Sequence, residues 1–134
     1  MKHVFIINPT AGRRDCTVQL MEMAKSLSAR HSLDVECILT KRPGHATETA
    51  RSLAQSGRAV RVYACGGDGT VNEVANGLAG FDNAAMTCIP VGTGNDFLKN
   101  FGAAAPLFSD AENLWDGPRF PLDAIDCTSR ILQF

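Results

Sequence analysis

The sequence predicts an α/β domain, a three-layer sandwich around a mainly parallel sheet. Three observations carry that expectation. Short apolar runs of strand length alternate with longer stretches of helical spacing, the pattern of strand–helix–strand units. The first run, Val4-Phe5-Ile6-Ile7, is continuously apolar, as a strand covered on both faces must be. Glycine and unusual polar residues collect in every second loop, so one edge of the sheet is chemically richer than the other.

The elements follow in order. After the first strand, residues 8–14 (Asn-Pro-Thr-Ala-Gly-Arg-Arg) form a loop. Residues 15–30 place Val18, Met21, Ala24 and Leu27 at helical spacing. Residues 34–40 read as a second strand, with Val35, Cys37 and Leu39 alternating and Ile38 also apolar. Lys41-Arg42-Pro43-Gly44 turns the chain into a helix over residues 45–56, stopped by Gly57. A third strand over residues 59–65 leads into a glycine turn and a helix over residues 70–79, with Gly80 past its end. A fourth strand spans residues 85–91, and a second glycine turn, residues 92–96, opens a short helix through Asn100. Ser109-Asp110-Ala111-Glu112 is a capping box before another short helix to Trp115. Residues 118–134 read as extended, with two strands, the apolar end from Ile131 having no partner left in the sequence.

Composition narrows the function classes. A chain of 134 residues suits one domain with one core. A net charge of −1 supplies no general attraction for nucleic acid, so no nucleic-acid partner is expected. No apolar run approaches the roughly 18 residues of a membrane span. The apolar stretch near Met1 is too short for a signal peptide and is stopped by Asn8-Pro9. Five cysteines, at positions 16, 37, 65, 88 and 127, form no C-x-x-C pair, and Cys37, Cys65 and Cys88 fall inside apolar runs. They read as buried free thiols in a cytoplasmic protein.

Parallel strands joined by right-handed crossovers put every strand-to-helix loop at one edge, the usual ligand edge of such sheets. Gly66-Gly67-Asp68-Gly69-Thr70-Val71-Asn72-Glu73 is the most telling of these loops. Three glycines allow unusual dihedrals and close approach to a ligand, and the helix start that follows favours an anion. Asp68 would repel a bare phosphate, so a metal–nucleotide complex suits the turn better. Thr70-x-x-Glu73 also reads as a plain capping box, and Asn95 and Asp96 as caps of the next helix. Neither the Rossmann fingerprint nor a P-loop occurs.

Residues 8–12 (Asn-Pro-Thr-Ala-Gly), residues 66–77 and residues 89–97 (Ile-Pro-Val-Gly-Thr-Gly-Asn-Asp-Phe) resemble three blocks of the diacylglycerol kinase catalytic domain, shared by bacterial diacylglycerol kinases, sphingosine kinases and ceramide kinases. Thr40 followed by Gly44-His45-Ala46 resembles a weaker fourth block. The resemblance covers residues 4 to 101, and its GGDGT turn also occurs in NAD kinases, with a similar one in phosphofructokinases. It implies an N-terminal domain of NAD kinase/phosphofructokinase-like fold that uses ATP and Mg²⁺. By position, Asn8, Thr40, Gly66, Gly67, Asp68, Gly69, Thr70, Glu73 and Thr93 would line the nucleotide. Asp68 would be catalytic and would meet Mg²⁺, directly or through water.

The implied reaction is transfer of the γ-phosphoryl group of ATP to a lipid hydroxyl of diacylglycerol type, at the inner face of a membrane. The family's β-rich C-terminal domain, which completes the lipid site, is expected to be missing here, leaving one nucleotide-binding domain over residues 1–134 that is inactive alone. The alternatives are an NAD kinase-like phosphotransferase and a non-catalytic nucleotide-binding module. Arg13, Arg14, Lys41 and Arg42 on the loop edge could meet phosphates or anionic headgroups, or be solvated surface. The particular lipid and the oligomeric state stay open.

Overall fold

A computed structural model describes residues 1–91, 95–121, 126–127 and 130–131. Strands β1 (Lys2–Ile7), β2 (Asp34–Leu39), β3 (Val60–Gly66) and β4 (Ala84–Pro90) form one sheet in the order β2-β1-β3-β4, every neighbouring pair parallel. Helices α1 (Thr17–His31), α2 (His45–Gln55) and α3 (Asp68–Leu78) are the connections. Going from β1 to β2 the chain steps one way across the sheet; from β2 to β3 and from β3 to β4 it steps the other way. Right-handed crossovers therefore place α1 on one face and α2 and α3 on the opposite face.

The core confirms this three-layer arrangement. Val4, Ile6, Val62 and Ala64 pack with Ala46, Ala50, Val71 and Val74 of α2 and α3. Phe5, Ile7, Tyr63 and Cys65, the alternate positions, pack with Leu20, Ala24 and Leu27 of α1. Central strands β1 and β3 are thus covered on both sides, which explains their continuous apolar runs. Edge strand β2 carries exposed charges, paired as Lys2–Glu36 at 2.8 Å and Arg58–Asp34 at 2.7 Å, which discourages pairing with another chain.

The face that α1 buries differs from expectation. Leu20, Ala24 and Leu27 point inward, whereas Val18 is 67% and Met21 45% exposed. The Asp15 carboxylate accepts the Thr17 N–H at 2.8 Å and the Thr17 hydroxyl, and these bonds also hold its pKa below the usual carboxylate value.

Beyond β4 the short helix expected through Asn100 is instead a longer 3₁₀ segment, Asp96–Ser109. Gly102, at φ 53°, kinks it, and Pro106 prevents a regular α-helix. A second 3₁₀ turn, Ala111–Asn113, is capped by Asp110, whose Oδ1 accepts the Glu112 N–H at 3.0 Å. The expected capping residue, Ser109, donates its hydroxyl to the Pro106 carbonyl. Buried Arg61 clamps the following backbone by donating to the carbonyls of Leu114, Trp115 and Gly117 at 2.6–2.8 Å. Near the end, β5 (Asp126–Cys127) pairs antiparallel with β6 (Arg130–Ile131), so Ile131 does have a partner, Asp126.

Cys65 and Cys88 are buried and Cys16 and Cys37 half-buried, all as free thiols. Burial pushes Cys88 up to about 12 and raises Cys65 well above the ordinary thiol value. Among the described residues no helix is long and apolar enough to cross a membrane.

Candidate functional site

In the order β2-β1-β3-β4 the direction of winding reverses between β1 and β3. Loops leaving adjacent strands there part to opposite faces and open a crevice at the strands' C-terminal ends. Asn8 follows β1 and Gly67 follows β3, so both border that crevice. The neighbouring loops are tied to it by backbone bonds that prolong the sheet ladder: Asn8 N–H to the Cys65 carbonyl at 3.0 Å, Thr40 N–H to Ile7 at 2.9 Å, and Val91 N–H to Gly66 at 3.1 Å.

Helix α3 begins at Asp68, two residues before the expected start, and its first turn carries no side-chain cap. Thr70 and Glu73 therefore do not form the expected capping box. The first-turn amides of a helix have no intrahelical acceptor and attract an anion. The role of the glycines also needs correcting. None of Gly66, Gly67 and Gly69 has a positive φ; Gly67 is extended, at φ −98° and ψ −162°. What they provide is space. A Cβ on Gly66 would lie 2.8 Å from the Cβ of buried Thr70, so this glycine lets Thr70 pack beneath the turn. A Cβ on Gly67 or Gly69 would meet nothing within 4 Å. The turn thus presents bare backbone to open space on either side of Asp68.

Half-buried Asp68 reaches the loop after β4. Its Oδ2 accepts the Asp96 N–H at 3.0 Å and its Oδ1 the Phe97 N–H at 3.2 Å. It therefore caps the 3₁₀ segment, a task the sequence suggested for Asn95 or Asp96. These two bonds leave part of the carboxylate's acceptor capacity unused. Lys99 Nζ sits 2.7 Å from Asp96 Oδ1, and this hydrogen bond first, then the charge of Asp96 and more weakly that of Asp68, raise the lysine's pKa. Asn95 has both side-chain polar atoms buried and without a hydrogen-bond partner, an arrangement native proteins rarely leave unused.

Asn8 Oδ1 accepts the Thr10 N–H at 3.1 Å and the Thr10 hydroxyl at 2.8 Å, an Asx turn that shapes the first loop. Thr40 is half-buried at the end of β2. Glu73 Oε1 accepts the Gly44 N–H at 2.8 Å, joining α3 to the start of α2. His45 opens α2, and its Nδ1 accepts the Lys41 N–H at 3.0 Å. Arg42 pairs with Glu48 at 2.6 Å, while Arg13, Arg14 and Lys41 are exposed. Thr93, with Gly92 and Gly94, lies outside the described residues.

The structure brings Asn8, Thr40, Gly66, Gly67, Asp68, Gly69, Thr70 and Glu73 to one edge. Asn95 and Asp96, which the sequence left between capping the next helix and meeting a ligand, lie beside Asp68, whose Oδ2 accepts the Asp96 N–H. The donors suit Mg²⁺, a hard cation that takes one or two carboxylates together with water and phosphate oxygens. Among the described residues no group of three or more His, Cys, Asp or Glu is placed to hold a metal ion.

Comparison with known proteins identifies the family. The family model described as "Diacylglycerol kinase catalytic domain" matches residues 2–127. The chain is 35% identical over 126 residues to the diacylglycerol kinase of Bacillus subtilis (strain 168), covering 92% of the chain and 41% of that protein. It is 37% identical over 102 residues to sphingoid long chain base kinase 5 of Saccharomyces cerevisiae, covering 70% of the chain and 15% of that protein. A crystal structure of a diacylglycerol kinase from Bacillus anthracis str. Sterne superposes with a TM-score of 0.61 at 35% identity, covering 79% of the chain and 40% of that structure. The chain spans less than half the length of these relatives.

Proposed function

The chain belongs to the diacylglycerol kinase catalytic domain family, and from that premise we propose that it binds ATP with Mg²⁺ at the crevice between β1 and β3. It does so, on this reading, for transfer of the γ-phosphoryl group to a lipid hydroxyl of diacylglycerol type. The observation that carries the proposal is the Asp68 carboxylate, flanked by the open backbone of Gly67 and Gly69 at an uncapped helix start.

Phosphoryl transfer asks little covalent chemistry of a protein; it asks for positioning and for neutralisation of charge. The first-turn amides of α3 would receive phosphate oxygens, and Gly67 and Gly69 would let these approach without a side chain in the way. Asn8, Thr40, Thr70 and Thr93 would border the nucleotide. Asp68, with Asp96 beside it, would hold Mg²⁺ directly or through water. The cation would supply neutralisation of the negative charge on the transferred group. Asp68 would keep its grip on the amides of Asp96 and Phe97, and its remaining acceptor capacity is available to a proton leaving the lipid hydroxyl.

Residues 1–134 act in this reading as the nucleotide-binding domain, and a β-rich domain completes the lipid site. A lipid acceptor implies a cytoplasmic protein working peripherally at the inner face of a membrane.

Calorimetric titration with ATP, with and without Mg²⁺, tests the proposal beside Asp68→Asn. Magnesium-dependent binding that the substitution weakens about tenfold or more is the expected result. Equal binding by both proteins, or binding indifferent to Mg²⁺, would remove Asp68 from the site.

A further inference from the structure

The Glu73 carboxylate does not point back along its own helix. It crosses to the neighbouring helix, where Oε1 accepts the Gly44 N–H at 2.8 Å. Gly44 is the residue before α2 and sits in the left-handed region at φ 87°. Its carbonyl accepts the Glu48 N–H at 3.1 Å, so one peptide group on each side of Gly44 is held, one by α3 and one by α2. At the other end of this loop the Thr40 N–H is fixed to β1, through the Ile7 carbonyl at 2.9 Å. Within the loop, Lys41 N–H bonds His45 and His45 N–H bonds the Arg42 carbonyl at 3.1 Å, contacts that shape the turn but do not attach it to the rest of the site.

We infer that Glu73 is a positioning residue: it fixes the loop from Thr40 to Gly44 against the helix that carries Asp68, and acts at the ligand edge through the Gly44 amide rather than by touching the ligand. Glu73 lies five residues after Asp68 on α3, and its bond is a charge-assisted one to a backbone donor, the stronger kind. Thr47 also joins the two helices, donating its hydroxyl to the Glu73 carbonyl at 2.8 Å, but from inside α2 and without contact to the loop. Its loss would loosen helix packing and leave the Gly44 tether in place. The consequence for a ligand depends on the nucleotide-site reading above; the tether itself does not.

The test compares Glu73→Gln, Glu73→Ala and Thr47→Val with the parent chain. Amide hydrogen exchange of Gly44 is followed without ligand, and ATP binding with Mg²⁺ is followed by calorimetry. Glutamine retains an acceptor oxygen, so it should keep Gly44 protection within about threefold and ATP affinity within about twofold. Alanine should lower Gly44 protection by roughly tenfold or more and weaken ATP about tenfold. Thr47→Val should lower stability with Gly44 protection and ATP affinity near those of the parent. Unchanged Gly44 protection in Glu73→Ala would overturn the inference. So would Glu73→Gln binding ATP as weakly as Glu73→Ala with Gly44 still protected, because the charge would then act on the ligand itself. If the parent fails to bind ATP while Gly44 exchange follows the expected order, the tether stands and the nucleotide reading falls.

Discussion

Asp68 and Glu73 both leave α3 to hold another loop by its backbone amides. The glycine turn was legible as a candidate site because three glycines around an acid exceed the needs of a helix start. The bonds of these two acids were not legible, since both run to residues distant in the chain, and a local capping motif competed as an explanation for Glu73. Residue chemistry also governs the opposite end of the sheet. His3 is 3% exposed, with Nδ1 2.8 Å from the Tyr63 hydroxyl. Burial first, then the charge of Arg61 and of the N-terminus, lower its pKa below 6.5, against a smaller opposing effect of Asp34. The fold therefore holds His3 neutral, while the unfolded chain takes up a proton on the same residue as pH falls. The resulting stability is fully present above 6.5 and is lost as pH falls through the lowered folded-state value. Melting temperatures measured from pH about 7.5 to about 5 should fall for the parent and less steeply for His3→Gln. Parallel curves would exclude His3 as the cause.

Elements show where local sequence stops deciding. The four strands of the main sheet and the three α-helices were readable to within a few residues, because apolar periodicity and Gly57 or Gly80 mark them. The buried face of α1 was not, since Val18 and Met21 continue the same helical spacing as Leu20, Ala24 and Leu27, and only docking on the sheet chooses between them. The segment after β4 was expected to end at Asn100, whereas the chain bends at Gly102 and continues in tight turns. Packing of α2 against α3 supplies a prediction at this scale. A Cβ on Gly77 would lie 2.5 Å from the Thr47 carbonyl oxygen and 2.7 Å from the Ala50 Cβ. Alanine is intrinsically the better helix former by about 1 kcal/mol, yet overpacking against a backbone oxygen costs about 1–3 kcal/mol. Gly77→Ala should therefore lower the urea midpoint of unfolding; a raised midpoint would mean that the two helices separate at little cost.

On the scale of the whole molecule, strand order places the candidate site. Alternating strands and helices were enough to expect a parallel sheet and a single ligand edge, but not the order β2-β1-β3-β4, which depends on pairings between strands far apart in sequence. That order sets the crevice beside Asn8 and Gly67. It also brings Arg61 of β3 under the backbone of Leu114, Trp115 and Gly117, which holds the chain's exit from the 3₁₀ region at the other edge. A shallow depression between α1 and Asp110–Glu112, lined by Gln19, Glu22 and Arg30, lies apart from the glycine loops and offers a direct contrast. The deciding measurement is paramagnetic broadening of amide resonances by ATP with Mn²⁺ in place of Mg²⁺. Broadening centred on Gly67, Asp68, Gly69 and Asp96, and spreading to Asn8 and Thr40, is the predicted result. Broadening centred on Gln19, Glu22 and Glu112, with the glycine turn untouched, would contradict a nucleotide site between β1 and β3.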